Sequence, residues 1–107
     1  MKDALKARIK LQCPIMCRGR YLPSIETGDA WYENIQAMMR EIEVMVTGFK
    51  DRGWEAEHLP SLYHIDEING RLSVDIDYCC QDMDAIVDKY AVHKLVADAP
   101  TGKFRNA

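Results

Sequence analysis

The residues best equipped for chemistry lie at positions 13–23, where the sequence reads CPIMCRGRYLP. Cys13 and Cys17 have the close spacing of a zinc hook, and Cys79-Cys80 could supply two further thiolates. Neighbouring residues of an extended run point to opposite faces, however, so Cys79 and Cys80 do not converge on one ion. The repeated close cysteine spacing of an iron–sulfur site is absent. The expectation is four free thiols, with no metal and no cofactor. A nucleophilic role for Cys13 or Cys17 lacks a placed base, and Arg18 and Arg20 fall at the wrong spacing for a cysteine-based phosphate loop.

Arg18-Gly19-Arg20 and Tyr21 suit a different task. They sit in a long connection, residues 14–28, that runs into the start of a helix. Free amides at a helix start favour negative charge. The group Arg18, Arg20 and Tyr21 is therefore a candidate contact for an anion or an acidic partner. No glycine-rich nucleotide loop accompanies it. A second candidate is His64, which hairpin pairing sets opposite Asp75. With Lys10 these residues would form a row across a sheet face, a minimal acid–base arrangement if a pocket enclosed it.

The elements that must position these groups follow from periodicity. Residues 7–13, ARIKLQC, alternate between apolar and polar, as a half-buried strand does. Residues 71–80 alternate likewise, with Leu72, Val74, Ile76, Tyr78 and Cys80 expected inward. Asn69-Gly70 before them is a two-residue hairpin turn, which sets a partner strand over 61–68. The pairing expected across it matches Ile65 with Val74, Tyr63 with Ile76 and His64 with Asp75. Residues 54–59 read as a further extended piece, interrupted by Pro60.

Trp31, Ile35, Met38, Ile42, Met45 and Phe49 recur at spacings of four and three, which predicts a helix over 29–52. Thr27 or Asp29 stands ready to cap it, and Gly53 to end it. A second helix is expected over 82–97, buried on its Met83, Ile86, Val87, Tyr90, Ala91 and His93 side. The order is then β-α-β-β-α: an α+β two-layer sandwich of split β-α-β, ferredoxin-like type. Its sheet would be mainly antiparallel, with three or four strands and two helices on one face. In that arrangement the last strand lies centrally, and Arg8 and Lys10 of the first strand face Asp77 and Asp75. One domain over 1–100 is expected, with a loose tail, TGKFRNA, at 101–107.

The chain of 107 residues carries a net charge of −3 and is 48% hydrophobic, an ordinary soluble composition. No apolar run is long enough to span a bilayer. The N-terminus lacks the apolar core of a secretory leader, so reduced thiols in a cytosol are expected. The acidic body argues against nucleic acid as a direct ligand. The function expected is that of a small, cytosolic, non-enzymatic protein that binds a protein partner: an inhibitor, immunity-type protein or regulatory subunit. Arg18, Arg20 and Tyr21 would contact the partner, together with Glu33, Glu41 and Glu43 on the long helix. Two alternatives are a small enzyme or ligand-binding domain built on His64, Asp75 and Lys10, and a nucleic-acid mimic or nucleic-acid-associated protein. An open sheet edge is also expected to take a second copy of the chain, as a homodimer, or a protein partner, with Leu62, Leu59 and Trp54 supplying apolar contacts.

Overall fold

The computed structural model describes residues 1–18 and 23–92. It is an α+β structure with helix α1 (Asp3–Gln12), strand β1 (Ser24–Glu26), helix α2 (Tyr32–Asp51), strands β2 (Ser61–Ile68) and β3 (Arg71–Asp77), and helix α3 (Gln81–Ala91). Short 3₁₀ turns at Asp29–Trp31 and Ala56–His58 precede α2 and β2. Expectations for His93 and for the tail at 101–107 lie outside the described residues.

The first expected strand is a helix. Ala7, Ile9, Leu11 and Cys13 do alternate, but Leu5, Ile9 and Cys13 also stand four apart, which is a helical stripe. The helical solution buries Ile9 and leaves Leu11 81% exposed. A segment this short satisfies both periods, and its Ala, Leu, Lys, Arg and Gln content favours the helix. Arg8 and Lys10 consequently never meet Asp77 and Asp75.

The sheet is mixed, in the order β1-β2-β3. β1 runs parallel to β2, with Ile25 beside Ile65, and α2 makes the crossover between them. The central strand is therefore β2, not the last strand, and the split arrangement expected from the sequence is not the one formed. Three residues are too few to show a period, so β1 is hidden inside the stretch that reads as loop.

The hairpin forms as expected. Asn69 and Gly70 adopt φ of 54° and 77°, the positive angles of a type I′ turn. Ile65 faces Val74 and His64 faces Asp75. Nearer the strand start a bulge intervenes: Leu62 faces Ile76, and Tyr63 is the extra residue. Tyr63 is thereby turned out to 66% exposure while Leu62 and Ile65 both point inward. Tyr78 is also exposed, at positive φ, where β3 ends. Gly70→Ala should cost about 1 kcal/mol, because only glycine takes this angle without strain. Urea unfolding checks the figure, and an unchanged midpoint would remove the turn argument.

The core lies between the sheet and α2. Ile35, Met38, Met39, Ile42 and Val46 of α2 are fully buried against Ile25, Leu62, Ile65 and Leu72. Each such side chain contributes about 1.5–3 kcal/mol. Trp31 is buried at the helix start, whereas Met45 and Phe49 are only half-buried. Phe49 instead stacks on Trp54, rings 4.4 Å apart. Gly53 ends the helix at φ 93°. α3 packs on α2 and β3. The buried Asn34 amide donates to the Tyr90 carbonyl at 2.9 Å, and Met83 and Ala91 face the core.

Candidate functional site

Residues 13–18 form a helical turn, Cys17 N donating to Cys13 O at 2.9 Å, with Cys13, Met16 and Cys17 buried. This turn has free amides at its start, as an anion cradle needs. Its occupant is part of the protein. The Glu43 carboxylate accepts from Ile15 N and Met16 N, each at 2.9 Å through a separate oxygen. On its other side the turn is tied to the sheet, since Leu62 N donates to Met16 O at 2.8 Å.

Arg18 completes the anchor. Its Nη1 donates to Ile15 O and Pro60 O, both at 2.7 Å, and its Nη2 to Ala56 O at 2.9 Å and Leu59 O at 2.6 Å. Four carbonyls therefore occupy the outer hydrogens of the guanidinium, which leaves its Nε–H. The reading of Arg18 and Glu43 as outward contacts thus meets a competing internal use for both. Arg20 and Tyr21 lie outside the described residues.

Glu41 is engaged as well. Lys89 Nζ donates to it at 2.8 Å and the Tyr90 hydroxyl to its other oxygen, which joins α2 to α3. The Lys89 and Tyr90 hydrogen bonds hold the Glu41 carboxyl below its ordinary range, while burial and the Glu41 hydrogen bond push Tyr90 up. Glu33 is exposed.

The cysteines are unpaired, and Cys79 Sγ donates to Asp84 Oδ1 at 3.1 Å. Burial, followed by the neighbouring Cys17 thiol and Glu43, raises Cys13 to about 12. Burial and then Glu43 raise Cys17 to about 11. Neither thiol is primed as a nucleophile. The folded chain keeps both protons at a pH where the unfolded chain releases them. Stability should therefore fall as pH climbs from about 9 towards 11, by up to roughly 1.4 kcal/mol per pH unit per thiol. Denaturation at stepped pH checks this: the slope should flatten in the Cys13→Ala, Cys17→Ala variant, and an equal slope would refute it.

His64 and Asp75 are registered partners on the outer sheet face, but Lys10 lies on α1, so the expected row of three is not assembled. His64 Nε2 stands 3.7 Å from Asp66 Oδ2 instead. Parallel pairing adds Ser24 beside His64 and Glu26 beside Asp66. The face thus gathers Glu26, Asp66, Asp75 and Asp77 around one histidine, with Glu26, Asp75 and Asp77 exposed. Sequence reasoning places Asp75 and Asp77 outward on their strand. It does not single out Asp66, which the hairpin register sets on the same face, and it misses Glu26, which joins them only through the β1–β2 pairing.

A shallow cleft of about 430 Å³ lies at the hairpin tip beside Ile68, Asn69, Arg71, Leu72 and Ser73. Glu55, Glu57 and His58 bring three exposed donor atoms within 4.8 Å of one another on the turn before β2. Of the three apolar residues expected to offer contacts near a sheet edge, Leu59 and Leu62 are buried, whereas Trp54 stacks on Phe49 and stays 45% exposed. Among the described residues no helix is long and apolar enough to cross a membrane.

The fold and its surface define a small α+β domain with one packed and one acidic, solvated sheet face. No family model, no curated protein and no solved structure matches the chain.

Proposed function

We propose that this is a small binding protein that acts through protein–protein contact, using the outer face of its sheet to hold a basic segment of its partner. The observation that carries the reading is the convergence of Glu26, Asp66, Asp75 and Asp77 on that face, drawn from all three strands. Like charges set side by side in a sheet destabilise the free protein, so a face that retains them suits a task outside folding. Tyr63, 66% exposed beside His64, adds an aromatic anchor of the kind that dominates interface energetics. Regulatory or inhibitory action follows naturally from occupying a basic surface.

Capture from the native lysate should compare the wild type with the Glu26→Lys, Asp66→Lys, Asp75→Lys variant. The reading expects basic proteins that the wild type retains at low salt and the variant loses. Equal capture by both, or none by either, would contradict it. The same carboxylates favour one secondary reading, mimicry of a nucleic-acid backbone. In that case added DNA or RNA would displace the captured partner.

A further inference from the structure

The outer edge of β3 carries a side-chain pattern that is complementary to itself. β3 has β2 on one side and no second strand neighbour among the described residues. In a two-residue hairpin the flanking residues Ile68 and Arg71 bond to each other, so Arg71, Ser73, Asp75 and Asp77 turn their backbone groups towards β2. Leu72, Val74 and Ile76 then direct their N–H and C=O groups away from it. An edge of this length invites pairing unless something blunts it.

The side chains select both the partner and the register. Antiparallel pairing about a two-fold axis at Val74 sets Leu72 against Ile76 of the second copy and Val74 against Val74 of the second copy. On the other face it sets Arg71 against Asp77 of the second copy and Ser73 against Asp75 of the second copy. Apolar residues meet on the core side and opposite charges meet on the solvent side, twice over by symmetry. Centring the axis on Asp75 would oppose two carboxylates, and centring it on Ser73 would leave Ile76 facing the turn glycine. Arg71 is free to change partners, because its pair with Asp88 is exposed and long at 3.8 Å.

We propose that two copies associate through their β3 edges into a continuous six-stranded sheet. Roughly six backbone hydrogen bonds and two Arg71–Asp77 pairs would close the interface. An interface of one strand per partner is small, so the association depends on concentration. The proposal does not rest on the partner reading above; the two share Asp77, and the Arg71→Asp and Val74→Pro variants leave all four carboxylates of that face unaltered.

Sedimentation velocity over about 1–500 μM, a span set by the weak affinity of so small an interface, should show a dimer for the wild type. Arg71→Asp and Asp77→Arg should each weaken it at least tenfold, while an equimolar mixture of the two variants associates again through restored opposite charges. Val74→Pro should give a monomer, since the lost N–H serves no bond to β2. Hydrogen exchange provides a separate reading: amide protection at Leu72, Val74 and Ile76 should rise with protein concentration. A wild type that stays monomeric throughout would overturn the proposal. So would a dimer indifferent to both charge variants, or a mixture that fails to recover.

Discussion

Glu43→Ala is expected to destabilise the protein by about 2–4 kcal/mol, the largest effect of any single side chain outside the apolar core. The substitution leaves the amides of Ile15 and Met16 without their acceptor, each a charge-assisted bond at 2.9 Å. A lost hydrogen bond to a charged group is worth about 1.5–3 kcal/mol, tempered here because the pair is only half-buried. Glu43→Gln keeps one acceptor oxygen and should lose about half as much. In a chain of this size the alanine variant should melt roughly 10–20 °C lower. The turn also carries Cys13, Met16 and Cys17 into the core. Alkylation of Cys13 and Cys17 should therefore quicken in the variant, and added acetate should restore part of the lost stability by refilling the cradle. Unchanged melting and unchanged thiol labelling would show that Glu43 does not hold the turn.

Deleting Asp66 should be far worse than deleting Tyr63. Tyr63 is mostly exposed, and its backbone is the extra residue of the bulge that lets Leu62 and Ile65, three apart, both face the core. Without Tyr63 they stand two apart, so a regular strand keeps Leu62 against Ile76 and Ile65 against Val74. That deletion should change stability by less than about 1 kcal/mol. Asp66 lies in the regular part of the strand, where removing one residue sends the side chains before the cut to the opposite face. Ile65 would then turn outward and His64 inward. The expected loss is about 3–5 kcal/mol, in the range of truncating a buried aliphatic side chain. Urea unfolding of the two deletions side by side checks the contrast. If both unfold at the same midpoint, the bulge does not absorb the missing residue.

Both results depend on features that differ in how far the sequence reveals them. Asn69-Gly70 is legible because the turn chemistry is local: two residues must take positive φ, and few pairs do so cheaply. The long helix is legible because apolar positions repeat over many turns. Even there the details shift, since Met39 and Val46 are buried where Met45 and Phe49 are expected to be. A hydrophobic stripe about one-third of a helix wide admits such a rotation without any change in composition. The expected anion contact in the 14–28 loop rests on Arg18, Arg20, Tyr21 and the long-helix start; the amides of Ile15 and Met16 and their acceptor are not legible, because Glu43 lies far along the chain on another element.

What the chain determines alone is local: the hairpin and its register from Ile65 to Ile68, two of the three α-helices among the described residues, and a core rich in isoleucine and methionine. Where a segment is short, local preference is too weak to decide. ARIKLQC fits a strand or a helix, and Ser24–Glu26 fits nothing in particular. Tertiary packing settles both, the first by burying Ile9 on one side of a helix, the second by offering β2 as a parallel partner. The same packing turns Arg18 and Glu43 inward and assembles the acidic face from three separate strands. Backbone hydrogen bonds that need partners, and carboxylates that need either partners or water, are satisfied only when distant segments meet. For that reason the acidic face, unlike the residues of CPIMCRGRYLP, comes into view only in the folded chain.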